Sequence, residues 1–380
     1  MTIHWCGTGR SAAPGLRRLI DGGQRPVVWN RTVAHAEAAV GDRAADIRPF
    51  TLSALGEALA EGDLVVSMLP AGHLLPLAEI CLARGAHLVS PSAIEPGLRA
   101  LDQACREAGL VSLHEVGLAP GIDHLMAHDL VMRYRAAPGY HPDNILGFTS
   151  FAGDMPETAG AFRYKFGWSP VEALQALCAP ARSLRHFSEL RVRHPWDAMI
   201  SFDAPLPLPE RVEVHPTGDS LPYIGEYRFE PYWKLRDFMR GTIRLAGWAE
   251  AWAPVLEELG GLQGEAGTAR LAAMAHGLSL DHAYAPGEAD RVLLFVSLKA
   301  EREGRPVFSE TWALDATGDV RGRAVARLVS IPVSLAVGSV LAREIAAGVH
   351  SAPHDPRLVG RWLEDIRHQT HHLRRIDHLA

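Results

Sequence analysis

Gly7, Thr8, Gly9, Arg10, Ser11 and Ala12 follow directly on a short apolar run and open an amphipathic stretch, and no other feature of the chain restricts its fold as tightly. The spacing is Gly-x-Gly-x-x-Ala at a strand-to-helix turn, which in a doubly wound α/β sheet cradles the pyrophosphate of a dinucleotide. Gly7 permits the tight turn, Gly9 removes a side chain where the phosphates approach, and Ala12 lets helix and strand pack closely. The helix N-terminus adds N–H donors and the positive end of its dipole. A glycine-rich turn without a ligand is the ordinary reading of an isolated Gly-x-Gly; the position directly after the first strand weighs against it.

The next hundred residues keep the pattern that this loop requires. Strand-like runs at 2–6, 26–30, 63–69, 87–90 and 110–114 alternate with amphipathic stretches such as 15–22, 74–84 and 95–107, as parallel strands joined by crossover helices do. After Pro120 proline and tryptophan become common and the alternation is lost, so a second domain begins there; 380 residues suffice for two cores. Runs at 291–300 and 306–315 around the polar loop 301–305 predict a β-hairpin. From Ile331 onward the texture is helical, and the tail from Arg361 is expected to be a charged helix. His368, His371 and His372 on it have a spacing open to metal, but no carboxylate or cysteine completes a set, and no metal is expected.

Composition narrows the partners. A net charge of -6 argues against a nucleic-acid surface. Four cysteines lie far apart with no Cys-x-x-Cys pair, which points to neither disulfides nor zinc and to a reducing, cytoplasmic setting. The N-terminus lacks the features of a secretory signal, and no uninterrupted apolar stretch approaches the roughly 20 residues of a membrane helix. A soluble protein is expected, and small polar substrates remain open.

The choice of dinucleotide is made after the second strand, where an acid would bind the ribose hydroxyls of NAD. Asn30, Arg31 and Thr32 stand there instead. A guanidinium suits a 2′-phosphate, so NADP is favoured, with NAD as the alternative and a solvated surface charge as the plain reading of Arg31.

The run Glu115-Val116-Gly117-Leu118-Ala119-Pro120-Gly121-Ile122-Asp123-His124 resembles a segment of the saccharopine dehydrogenase family. Matches in order accompany it: Leu69, Pro70 and His73; Ser90, Pro91 and Ser92; Phe148 to Ser150; Tyr164 to Pro170; Asp219 to Tyr223; and Arg240, Gly241 and Thr242. The resemblance implies an N-terminal Rossmann domain (1–122) and an α+β substrate and dimerisation domain with a mixed sheet (123–330). It implies C-terminal helices (331–380) that return to the first domain. The implied activity is NADP-dependent oxidation of a CH–NH secondary amine, with saccharopine giving glutamate and aminoadipate semialdehyde in lysine metabolism, and the implied assembly is a homodimer.

The same resemblance implies site residues. Leu69, Pro70 and Ser90 join the loop as cofactor contacts. Asp123 is the first candidate for the proton transfers that amine oxidation needs, with a helix cap as its alternative task, and His73 and His124 are further candidates. Ser92, Asp123, Lys165, Trp168, Ser169, Arg240, Thr242 and Arg244 are the candidates for binding an amino-acid substrate with several carboxylates. Leu88, Ala152 and Gly218 depart from the family, which often has tyrosine, cysteine and an arginine there. These departures leave open a related amino acid or carboxylated polyamine as substrate, or a non-catalytic NADP-binding protein.

Overall fold

The computed structural model describes Met1–Ala380, and its contacts divide the chain into two compact units. The first comprises Met1–Leu125 with Val325–Gln369, the second Met126–Ala324 with Thr370–Ala380.

In the first unit β1 (Ile3–Cys6), β2 (Val27–Asn30), β3 (Asp46–Pro49), β4 (Leu64–Ser67), β5 (His87–Val89) and β6 (Val111–Leu113) form a parallel sheet in the order β6-β5-β4-β1-β2-β3. The order reverses between β1 and β4, the switch point at which open α/β sheets take their ligands. β4 is buried throughout and reads Leu64, Val65, Val66, because a parallel sheet covered on both faces has no solvent side toward which to alternate. A seventh strand, Gly348–His350, extends the sheet beside β6. Neither it nor β3 is visible in the sequence: β3 reads Asp-Ile-Arg-Pro and the seventh strand has three residues, both too short and mixed to show a period.

Two expectations are corrected in this unit. The 95–107 stretch is two helices, Pro96–Arg99 and Asp102–Glu107, because the Leu101 N–H bonds the Leu98 carbonyl three residues back and interrupts the α-helical ladder. One helix, Ala324–Leu341, is long and apolar enough to cross a membrane, contrary to the sequence reading; 83% of it is buried inside the protein, as in a core helix. Gly15 lies against it. A Cβ there would fall far inside contact distance of the Ser330 carbonyl, and the Gly15 N–H donates to Ser330 Oγ at 2.9 Å.

The second unit is built on β7 (Ile145–Pro156), β8 (Ala181–Arg185), β9 (Ser188–Val192), β10 (Ile200–Ala204), β11 (Glu210–Pro216), β12 (Lys234–Leu245), β13 (Asp290–Arg302) and β14 (Arg305–Thr317); Gly348–His350 is β15, and β16 (His372–Asp377) closes the chain. The main path is β10-β11-β12-β7-β13-β14-β16, with β8 and β9 attached to β12. All its pairs are antiparallel except β12 with β7, so the sheet is mixed. The hairpin turn is tighter than expected: Glu303 and Gly304, both with positive φ, join β13 to β14 as a two-residue connection. The tail is also corrected. Its helix, Pro356–Arg367, is followed by β16, which pairs with β14 and belongs to the second unit.

Period-two alternation gives this sheet two different faces. Phe151, Met155, Val212, Val214, Met239, Ile243, Leu293 and Phe295 form one apolar cluster with Phe202 of β10. Phe202 lies 5.6 Å from Phe295 although three strands stand between them; a flat sheet would hold them about 19 Å apart at roughly 4.8 Å per strand. The sheet therefore curls around this cluster. The opposite face carries Ser150, Ala152 and Asp154 on β7 and Arg240, Thr242 and Arg244 on β12.

Candidate functional site

The loop Gly7–Ala12 between β1 and the helix Ala13–Asp21 is pinned by the end of β2. Gly7 N–H donates to the Trp29 carbonyl at 2.8 Å and Thr8 N–H to Asn30 Oδ1 at 3.1 Å. Gly7 has φ +97°, and a Cβ there would lie 2.8 Å from the Met68 carbonyl oxygen and 3.1 Å from Leu69, so the turn itself demands glycine. A Cβ at Gly9 would meet no protein atom within 4 Å. Packing does not require that glycine, and close approach of a pyrophosphate does. Pro14 has no N–H and that of Gly15 is taken by Ser330, so anion binding would fall to the loop amides of Gly9, Arg10 and Ser11 more than to the helix end. Buried Ala12 begins the helix.

Asn30, expected at the cofactor, is chiefly a brace: besides Thr8 it holds the Thr32 carbonyl at 2.8 Å. Arg31 is exposed in the turn so formed, with no acid at 30–32, and the set fits NADP. Leu69 packs on Gly7, Pro70 is exposed after β4, and Ser90 is fully buried. Ser90 Oγ accepts from Ser92 N–H at 3.1 Å and lies 3.3 Å from His114 Nδ1, a bracing task within the sheet. Burial pushes His114 down to about 4. His73 is exposed at the end of the turn Ala71–His73, its ring edge-on to Phe50 at 6.5 Å.

The segment Glu115–Leu125 folds into a tight turn leading into the helix Ile122–Ala136. Asp123 and His124 are fully buried there. Asp123 Oδ1 accepts from Gly121 N–H at 2.7 Å and His124 N–H at 3.0 Å; His124 Nε2 lies 3.1 Å from Glu115 Oε2, whose other oxygen accepts from Ile94 N–H. Glu115 adopts φ +55°, uncommon for a residue with a side chain. A carboxylate–imidazole pair thus fixes the turn on which Asp123 sits, and Ser92 joins it through its carbonyl, which accepts from Glu115 N–H at 3.1 Å. The cap-like task of Asp123 is real: one oxygen is committed to the backbone.

In the second unit the polar face of β7 and β12 gathers several of the expected substrate residues. Arg240 lies 3.9 Å over the Tyr223 ring, Thr242 Oγ1 is 2.6 Å from Thr217 Oγ1, and Arg244 rests against Tyr164 and Trp248 at 4.7 and 5.1 Å. Trp168 lies near Asp154 and Tyr164. Two others have structural tasks. Lys165 has its charge matched by Glu288 at 2.6 Å, and Ser169 caps the helix Pro170–Cys178 by accepting from Glu172 N–H. Gly218 has φ +56° with open space around its missing side chain, so an arginine there meets backbone strain and no steric wall.

Sequence reasoning missed Asp154 and His215, which lie near Arg244, and Tyr284, which senses the Asp154 charge and has Arg323 4.2 Å over its ring. Burial raises Asp154 to about 6, opposed by Arg244 and Trp168; burial with the Arg244 charge lowers His215 to about 3; and burial pushes the Tyr164 and Tyr284 phenols up. For Asp154 the available signal was a lone acid within an otherwise uncharged strand.

The sequence profile described as saccharopine dehydrogenase NADP binding domain matches residues 6–113, and that described as saccharopine dehydrogenase C-terminal domain matches residues 117–371. The NADP(+), L-glutamate-forming saccharopine dehydrogenase of Pyricularia oryzae is 30% identical over 273 residues, covering 70% of this chain and 58% of that protein. An alpha-aminoadipic semialdehyde synthase of Arabidopsis thaliana is 31% identical over 213 residues, 55% of this chain and 19% of that protein. The chain thus spans less than two thirds of the length of these curated relatives. Among solved structures, apo saccharopine dehydrogenase (L-Glu forming) from Saccharomyces cerevisiae superposes with a TM-score of 0.81 at 20% identity, over 99% of both chains, and shares the fold.

Proposed function

This chain belongs to the saccharopine dehydrogenase family, and from that premise we propose that it is an NADP(H)-dependent oxidoreductase acting on a secondary amine, with saccharopine as the first substrate to test. The observation that carries the proposal is the loop after β1, where Gly9 is left without a packing reason, together with Arg31 after β2, where an NAD site would have an acid.

NADP, when bound, accepts hydride at its nicotinamide. The amine must present a lone pair, so it must first be neutral; loss of hydride from the adjacent carbon leaves a C=N bond, water adds to that carbon, and the carbinolamine breaks to an aldehyde and a protonated amine product. Each stage moves a proton, and Asp123 is the proposed carrier. Its Oδ1 is held by two backbone donors and the Glu115–His124 pair fixes the turn, so the carboxyl is oriented before substrate arrives. On the second unit, Arg240, Thr242 and Arg244 would hold substrate carboxylates. A homodimer and a cytoplasmic setting belong to the same reading; all four cysteines are free thiols, as a reducing compartment allows.

The test is NADPH formation, followed in the near-ultraviolet band of reduced nicotinamide, with saccharopine, lysine and carboxylated polyamines. No reduction with any of them removes the enzymatic reading and leaves a protein that binds NADP without turnover. Asp123→Asn retains Oδ1 as the acceptor for both backbone donors, so the fold and NADP affinity should persist. Turnover should nonetheless fall by about 100- to 10,000-fold. Turnover equal to the parent's would take Asp123 out of the proton transfers. Sedimentation checks the dimer.

A further inference from the structure

Arg244 is 6% exposed, and its Nε has no hydrogen-bond partner in the protein. A buried guanidinium is costly unless its charge and donors are met. Its faces are served by aromatic rings, with Tyr164 at 4.7 Å and Trp248 at 5.1 Å, and stacking leaves the donor-bearing edge for a planar acceptor. The nearby acid does not supply that acceptor. Asp154 is close enough for Arg244 to stabilise its charge, yet Asp154 Oδ2 is itself buried without a hydrogen-bond partner.

Two hydroxyls repeat the pattern. Tyr164 Oη, in a residue 3% exposed, has the Arg244 and Trp168 side chains within reach but in no well-formed hydrogen bond, Tyr284 Oη lies buried without a partner, and both phenols sense the Asp154 charge. A guanidinium and a carboxylate that are near one another without direct pairing, bordered by two phenols, present donors and acceptors together. A group carrying only a carboxylate satisfies Arg244 and meets repulsion from Asp154. A group carrying only an ammonium has the reverse problem. An ammonium and a carboxylate on one carbon answer both charges at once.

We propose that the Asp154–Arg244 cluster is a subsite for a zwitterionic α-amino-acid head group, its ammonium donating to Asp154 and its carboxylate accepting from Arg244, with Tyr164 and Tyr284 completing the hydrogen bonds. This rests on the amine-oxidising reading and deepens it by naming the end of the substrate that docks on the second unit. Asp154 becomes a specificity-determining residue: it selects amines that keep a free α-amino group over otherwise identical acids.

The experiment is equilibrium binding, so that it does not depend on turnover. The full chain, saturated with NADP, is titrated by calorimetry at neutral pH with L-2-aminoadipate, with adipate, which lacks the ammonium, and with 5-aminopentanoate, which lacks the α-carboxylate. The parent should bind aminoadipate about tenfold or more tightly than either analogue, the size of one charged hydrogen bond. Asp154→Asn should erase the preference over adipate and keep that over 5-aminopentanoate, and Arg244→Gln should do the reverse. Equal Kd values for the three probes on the parent, no binding of any probe, or an Asp154→Asn variant with the full preference for aminoadipate over adipate would each overturn the subsite. Should Arg244→Gln not fold, Arg244→Lys keeps the charge without the planar fork and should still weaken aminoadipate relative to 5-aminopentanoate; an unchanged ratio counts against the proposal. Absence of NADPH formation with secondary amines fails the enzymatic reading alone, whereas equal probe affinities fail the subsite alone.

Discussion

Arg31 places a guanidinium at the exposed end of β2, and the preference for NADP depends on what that charge would meet. A 2′-phosphate accepts two parallel hydrogen bonds from a guanidinium, while a 2′-hydroxyl gives it one neutral partner. Arg31→Asp supplies the acceptor that ribose hydroxyls use and places a negative charge against a phosphate. The ratio of NAD to NADP dissociation constants should fall by about tenfold or more, measured by cofactor titration of both proteins. A parent with equal constants, or a variant with the parent's ratio, would show that Arg31 is a solvated surface charge. Asn30 stands where a cofactor contact is expected, yet it spends both ends of its amide on Thr8 and Thr32.

Between elements, the contact that most limits the first unit is that of the helix Ala13–Asp21 with the helix Ala324–Leu341. The two come from opposite ends of the chain and meet where Gly15 leaves no room for even one methyl group against the Ser330 carbonyl. Gly15→Ala improves helix propensity by roughly 1 kcal/mol. Overpacking against backbone costs typically about 1–3 kcal/mol and here has no flexible side chain to yield, so the steric cost should win. The variant should melt at a lower temperature and bind NADP more weakly, since the helix also carries the loop Gly7–Ala12; unaltered melting by differential scanning calorimetry would mean that the two helices can separate freely. Sequence periodicity found both helices in outline but could not show that Gly15 serves their contact, because the partner lies 315 residues away.

Over the whole molecule, the two units should respond differently to acid. In the first, burial lowers His4, His87 and His114, the last to about 4. Such a ring stays neutral in the folded chain while the unfolded chain takes up a proton below about pH 6.5, so stability present above that pH is lost as pH falls toward 4. In the second unit burial likewise lowers His282, His372 and His215, the last to about 3, but it also raises Asp129, Glu310 and Asp154, the last to about 6. Between about pH 4 and 6 the folded chain keeps a proton on Asp154 that the unfolded chain has released, and Asp129 and Glu310 act in the same direction, which opposes the histidines. One net proton is worth about 1.4 kcal/mol per pH unit. From pH 6.5 to 4.5 the opening free energies of amides in β5 and β6, measured by hydrogen exchange, should fall with at least about that slope, while those in β7 and β12 fall by less than half as much. Equal slopes would contradict this balance of charges.

The sequence alone determined what depends on near neighbours: the glycine loop between strand and helix, the first strands, the hairpin of β13 and β14, the Glu115–His124 turn and, through those runs, the family. Each is a pattern confined to a few consecutive residues, where backbone sterics and period-two or helical burial leave a mark on residue type. Tertiary structure alone decided the rest. The tail from His372 is polar enough to read as an exposed helix, yet it becomes β16 because β14 offers an unpaired edge. Lys165 reads as a substrate cation until Glu288, 123 residues on, is found beside it. Asp154 and Arg244 come together because the parallel pairing of β7 with β12 sets Ala152 beside Thr242, and that pairing is chosen by the burial of Phe151, Met239 and Ile243 on the opposite face. Burial of one side of a sheet fixes its register, and register carries the chemical groups on the other side into place.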